Sequence, residues 1–185
     1  GNGSSGDSTR TVVFVLADDD IGDNFSVDIK KDKAYGTPVF KLKAGESQCP
    51  HEPNTRPREG VDMVADKQVA VNVPMNDMAV FQLTLGNTSQ AEELKTYTLE
   101  VDQATNPNGA VIRFNGLPSL GVAVPFGEGV PVTMTVERGP LAFDYEDISV
   151  EFFSDCEDER AAALGFFDTI FNKELVFDIH FLEPC

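Results

Sequence analysis

Nearly every ordered-looking run in this chain alternates apolar and polar residues with period two, and the runs are short and bounded by turn residues. Side chains on a strand point to opposite faces in turn, so such a run buries one face only, as strands of antiparallel sheets do. In the first half, Val13 and Val15 oppose Val12, Phe14 and Leu16, and Phe25, Val27 and Ile29 oppose Ser26, Asp28 and Lys30. A third short run covers Pro38 to Lys43, and Val69, Val71 and Val73 alternate with Ala70 and Asn72. In the second half the apolar sets are Phe81/Leu83/Leu85, Tyr97/Leu99/Val101, Val130/Val132/Met134/Val136, Ile148/Val150/Phe152 and Leu175/Phe177/Ile179/Phe181. Many short one-faced strands indicate an all-β sandwich or barrel.

The punctuation agrees. Asn106-Pro107-Asn108-Gly109 and Asn115-Gly116 supply residues that tolerate positive φ, and Gly127-Glu128-Gly129 and Gly139-Pro140 flank the Val130 run. One segment, Glu157 to Phe171, has helix formers at its start and is expected to be a short helix inserted between two strands. Residues 48–60 hold three prolines and no apolar period, and form a loop. The expected organisation is a flexible tail or expression remnant over 1–8, a strand-rich segment over 9–75 and a sandwich over 76–185. Whether residues 9–75 complete that sandwich or form a second one stays open.

Charge narrows the partners. With 31 acidic residues against 14 basic ones the net charge is −17, which repels phosphate backbones and anionic membrane surfaces. Nucleic acid is therefore not an expected partner. No run approaches the ~18 apolar residues of a membrane-spanning helix, so membrane insertion is not expected. If the protein is secreted, its signal peptide lies upstream of Gly1. The aromatic set of 14 Phe, 3 Tyr and no Trp suits a packed core and offers little for stacking on sugars or bases.

The phrases FQLTLGNTSQ, TYTLEV, NPNGAVI, VTMTVERGP and FDYEDISVEFFSDC, between Ala79 and Cys156, resemble immunoglobulin-like or fibronectin-type repeats of very large secreted and surface proteins, especially bacterial ones. KAYGTPVFKLKAGESQCPHEPNTRPREGV resembles segments that precede such modules. The resemblance implies an immunoglobulin-like antiparallel β-sandwich, with an additional N-terminal strand-rich segment, that serves as an extracellular building block. It brings no catalytic residues with it.

The richest polar cluster is Asp18-Asp19-Asp20-Ile21-Gly22-Asp23-Asn24, whose hard oxygen ligands could bind Ca²⁺ through Asp18, Asp20 and Asp23. The spacing is not that of an EF-hand loop, and a solvated acidic turn is the alternative. Asp144, Glu146 and Asp147 flank one strand with Asp155, Glu157, Asp158 and Glu159. A strand of about seven residues at ~3.3 Å each parts the two sets by about 23 Å, too far for a glycosidase-type carboxylate pair. No G-x-S-x-G turn or glycine-rich phosphate loop is present, and an enzyme is not expected.

Cys49, Cys156 and Cys185 have no C-x-x-C spacing, which favours one disulfide with a leftover thiol over zinc or redox chemistry. If the strands ending at Cys156 and Cys185 are antiparallel neighbours, those two cysteines lie at opposite ends, beyond the ~7 Å Cα limit of a disulfide. Cys49–Cys156 is then the better pair, and Cys185 is left for another segment or chain. An insertion over 157–173 that moved the last strand would permit Cys156–Cys185 instead. Asn87-Thr88-Ser89 and Asn24-Phe25-Ser26 fit the N-glycosylation pattern, which matters only in a eukaryotic secreted protein. Asn87 is expected in an accessible turn. The function expected is a non-catalytic structural or assembly module, secreted or at the cell surface, whose partners are other copies or neighbouring domains. The alternative is a calcium-dependent adhesion or ligand-binding sandwich.

Overall fold

The computed structural model describes residues 24–47, 56–57, 60–90, 92–154 and 172–184. Three short elements come first: β1 (Asn24–Lys31), β2 (Pro38–Ser47) and β3 (Arg56–Pro57) form a sheet of order β1-β2-β3. The hairpin between β1 and β2 turns on Asp32, whose Oδ1 accepts from Ala34 N at 2.6 Å and Tyr35 N at 3.0 Å, with Gly36 at φ 70°.

The remaining strands are β4 (Val61–Ala65), β5 (Val69–Val73), β6 (Met78–Asn87), β7 (Lys95–Val101), β8 (Val111–Phe114), β9 (Leu120–Val124), β10 (Gly129–Glu137), β11 (Asp144–Ser154) and β12 (Asn172–Phe181). They make two sheets, β4-β6-β10-β8 and β5-β12-β11-β7-β9. The inner faces supply one continuous core, in which Phe81 of β6 meets Phe177 of β12 edge to face at 5.1 Å and Tyr97 of β7 meets Phe152 of β11 at 5.3 Å. Leu83, Leu85, Leu99, Val132, Met134, Ile148 and Val150 fill the space between these pairs. The expected inward sets of β6, β7, β11 and β12 are those found, with Leu175 and Val130 half-buried at the rim. The described residues are nearly all β, and β4 to β12 form a two-sheet sandwich.

Two details differ from the sequence reading, and a third fills in a point that it leaves open. The sandwich is not wholly antiparallel, because β5 runs parallel to β12 while every other pair within the two sheets is antiparallel. Residues 61–73 supply a strand to each sheet, β4 against β6 and β5 against β12, so the sandwich extends to the N-terminal side of residue 76. And the inward residues of β5 are Ala70 and Val73 rather than Val69, Val71 and Val73. Asn72 takes a left-handed φ of 57° and the register to β12 slips there, so strict alternation ends at Val71. Among the described residues the only helical piece is a 3₁₀ turn, Gln103–Thr105; the expected helix over 157–171 lies outside them.

The step from one sheet to the other is held at two residues. Asp66 Oδ1 accepts from Gln82 N at 2.9 Å on the β6 side. Gln68 Nε2 donates to the Val176 carbonyl at 2.9 Å on the β12 side. Three residues thus carry the chain across the core edge.

None of residues 24–46 is buried, whereas the core draws on strands β4 to β12. Truncating Phe177 to Ala should therefore cost about 3–5 kcal/mol in urea unfolding. Ile29→Ala, in the hairpin, should change stability by less than about 0.5 kcal/mol. Equal effects of the two would mean that the hairpin belongs to the core.

Candidate functional site

The strand directions sort the loops between two ends. β6 runs about 30 Å, ten residues at ~3.3 Å each, from Met78 to Asn87. The chain reaches β4 through Gly60, beside the Asn87 end, where Tyr97 Oη donates to the Gly60 carbonyl at 3.3 Å. It leaves β12 at Phe181, beside Val73 and the turn that leads into Met78. The sandwich is thus entered at one end and left at the other.

At the Asn87 end a polar residue is sealed in. Asn87 is 2% exposed; its Nδ2 donates to the Glu93 carbonyl at 2.8 Å and the Val124 carbonyl at 2.9 Å, and its Oδ1 accepts from Ser89 N at 2.9 Å. One side chain thereby joins the tip of β6, the following loop and the end of β9 in the opposite sheet. This corrects the expectation of an accessible turn, since the nitrogen that would carry a glycan is inside and occupied. Asn24 opens β1 and is exposed. Asp18, Asp20, Asp23, Cys49, Cys156 and Cys185 lie outside the described residues, as do Asp155, Glu157, Asp158 and Glu159.

The opposite end is closed by Tyr145 at the start of β11. Its hydroxyl accepts from Gly139 N at 2.8 Å and donates to the Ala142 carbonyl at 3.0 Å, fastening the β10–β11 connection to the sheet. Gly139 is required there: a Cβ would stand 2.1 Å from the Gly109 carbonyl oxygen. A depression of about 300 Å³ nearby is lined by Thr105, Asn106, Asn108, Glu146 and Asp147 among others. Two of its polar side chains are already engaged: Asn106 bonds both ways with Ala110, and Thr105 Oγ1 accepts from Ser149 N. Among the described residues no group of three or more His, Cys, Asp or Glu side chains is placed to hold a metal ion.

Titratable chemistry gathers instead along the outer face of β11 and β12. His180 Nδ1 lies 2.8 Å from Asp144 Oδ1, and Asp178 Oδ1 accepts from Asp147 N at 2.9 Å. This acidic strip borders β5, which among the described residues is the edge strand of its sheet and whose register sets Val69 opposite Asp178. Val69 is 51% exposed and Val71 60%, and the five residues of β5 include no charge. Edge strands offer unpaired backbone donors and acceptors, and charges on the strand normally guard them. The other edges are differently furnished: β4 carries Asp62, β8 carries Arg113, and β9 has Gly121 and Ala123 on its outer face.

Replacing Asn87 by Ala leaves the Ser89 N–H and two carbonyls without their partner and should cost about 2–4 kcal/mol in urea unfolding. A loss under about 0.5 kcal/mol would contradict the sealing role. Made in a eukaryotic secretory cell, the folded protein should carry no glycan at Asn87, which peptide mass spectrometry reads directly.

No protein-family model matches the chain, and no curated protein matches it. Among solved structures it is similar to "Crystal structure of the S-layer protein SbsC domains 4 and 5", at 11% identity and a TM-score of 0.35. The overlay covers 80% of this chain and 59% of that one, so the chain spans less than two thirds of that structure.

Proposed function

We propose that this chain is a non-catalytic structural module of immunoglobulin-like type, which assembles with other copies or with neighbouring domains outside the cell or at its surface. The observation that carries the reading is the placement of the two chain connections at opposite ends of the sandwich, Gly60 at one and Phe181 at the other. Units connected this way can be strung along one axis without the chain doubling back.

The immunoglobulin-like assignment is supported by strand order. Taken in sequence as A (β4), A′ (β5), B (β6), C (β7), D (β8), C′ and E (β9, β10), F (β11) and G (β12), the sheets need only one exchange. Spatially β9 lies beside β7, as C′ lies beside C, and β8 beside β10, as D lies beside E. The pattern is ABED on one side and GFC with an added C′ on the other, with D and C′ reached in the reverse chain order from variable domains. Tyr145, at the start of the F-like strand with its hydroxyl returned to Gly139 and Ala142, has the geometry of the tyrosine corner.

Labelling intact source cells with a membrane-impermeant amine reagent, then sizing the native protein, tests the reading. The chain should be labelled and should run in a species several times its 20.1 kDa. Protein that is shielded until lysis and runs as a free monomer would overturn it.

A further inference from the structure

We infer that two copies of this chain pair face to face through the outer surface of the β4-β6-β10-β8 sheet, related by a twofold axis. This rests on the assembly reading above and names the surface that performs it. The two outer faces of the sandwich are unlike. On the β5-β12-β11-β7-β9 sheet the register sets Glu151 opposite Glu174 on one side and opposite Glu100 on the other, with Asp178 farther along β12. On the β4-β6-β10-β8 sheet it sets Gln82 beside Thr133, and Thr135 between Val80 and Arg113. Val64, Met78, Val80 and Val111 point outward from that second face and are between 37% and 56% exposed.

Charge selects the occupant. The chain carries −17, so two copies repel wherever their carboxylates are brought together. The row of Glu100, Glu151 and Glu174 forbids pairing through the acidic face. The charged side chains of the other face are Asp62, Arg113 and Glu137, and each anion there has a cation close by. Asp62 Oδ1 lies 3.7 Å from Lys173 Nζ. Arg113 and Glu137 are diagonal neighbours across β8 and β10, a spacing that long side chains span. A balanced face offers a strongly charged partner nothing, whereas a second copy brings the same balanced face, rich in valine and threonine.

Drying the surface is made cheaper by a bond within the sheet, from Thr133 Oγ1 to Gln82 Oε1 at 3.0 Å, because part of its polar inventory is already satisfied. With ~3.3 Å per residue and ~4.8 Å between strands, the four strands present about 450 Å² of flat sheet in each copy. The pair then buries about 900 Å² before side-chain relief is counted, at the small end of specific interfaces, where complexes are weak. The same patch serves both copies, so the contact closes as a pair. It uses the side of the sandwich and neither end, and so is compatible with units joined end to end.

Sedimentation velocity of the full chain tests this at protein concentrations up to about 1 mM, the range of weak complexes. Runs are made at low ionic strength and at about 1 M salt, where repulsion between the acidic remainders is screened. The wild type should dimerise, at least about tenfold more tightly at high salt; attraction between opposite charges has the reverse salt dependence. Val80→Glu sets like charges across the contact and should weaken dimerisation at least about tenfold. Val176→Glu, on the acidic face, changes the net charge equally and should leave dimerisation as it was. An unchanged urea midpoint confirms folding, and Thr135→Glu replaces Val80→Glu if that midpoint falls. A wild type that stays monomeric at the highest concentration and salt overturns the inference. Equal effects of the two variants, or association that salt weakens, overturn it too, while leaving the assembly reading intact; that reading falls only with the surface-labelling result.

Discussion

The contact on which everything else depends is the apolar seam between the two sheets, where Phe81 and Phe177 meet edge to face near the middle of the core. Neither sheet could hold its strands in water with one face of Phe, Leu, Ile and Val exposed, so each exists because the other covers it. That mutual burial dictates the path of the chain. With one exception the successive strands from β4 to β12 alternate between sheets, and the exception, β11 to β12, stays within one sheet through a long connection.

Closing such a core leaves its two ends as the difficult places, because the connections carry polar backbone across apolar rims. The protein meets this with single, well-placed side chains. Asn87 satisfies two carbonyls and one N–H at one end, and Tyr145 one N–H and one carbonyl at the other. Asp66 and Gln68 do the same where the first strand divides between the sheets. All of them bond to backbone, so they fix where the chain goes rather than acting on anything that arrives.

The strands that were legible from sequence are those long enough to show their period. β6, β7, β10, β11 and β12 bury the residues expected of them, save Val130 and Leu175, which are half-buried at the rim, and Asn115-Gly116 marks a real turn, with both residues at positive φ. The short strands were not legible: β8 is four residues with Arg113 on its outer face, and β9 is interrupted by Gly121. On β5 a run of alternating valines pointed to the wrong face, because Ala70 can be buried as readily as valine and Asn72 breaks the phase. Asn87 looked exposed because its sequence is that of a turn; only the arrival of Val124 from the other sheet makes it an interior residue. The β5 edge was hidden for a related reason. Its place at the edge of the described sheet is a property of strand order, which local patterning does not encode.

The parallel pairing of β5 with β12 has a mechanical consequence. Load applied through the two chain connections draws β5 toward the Gly60 end and β12 toward the opposite one, along their shared axis. The hydrogen bonds between them lie across that pull and are strained together, in shear, instead of opening one at a time like a zip. The second and last strands of the sandwich therefore act as a clasp whose grip comes from sharing the force.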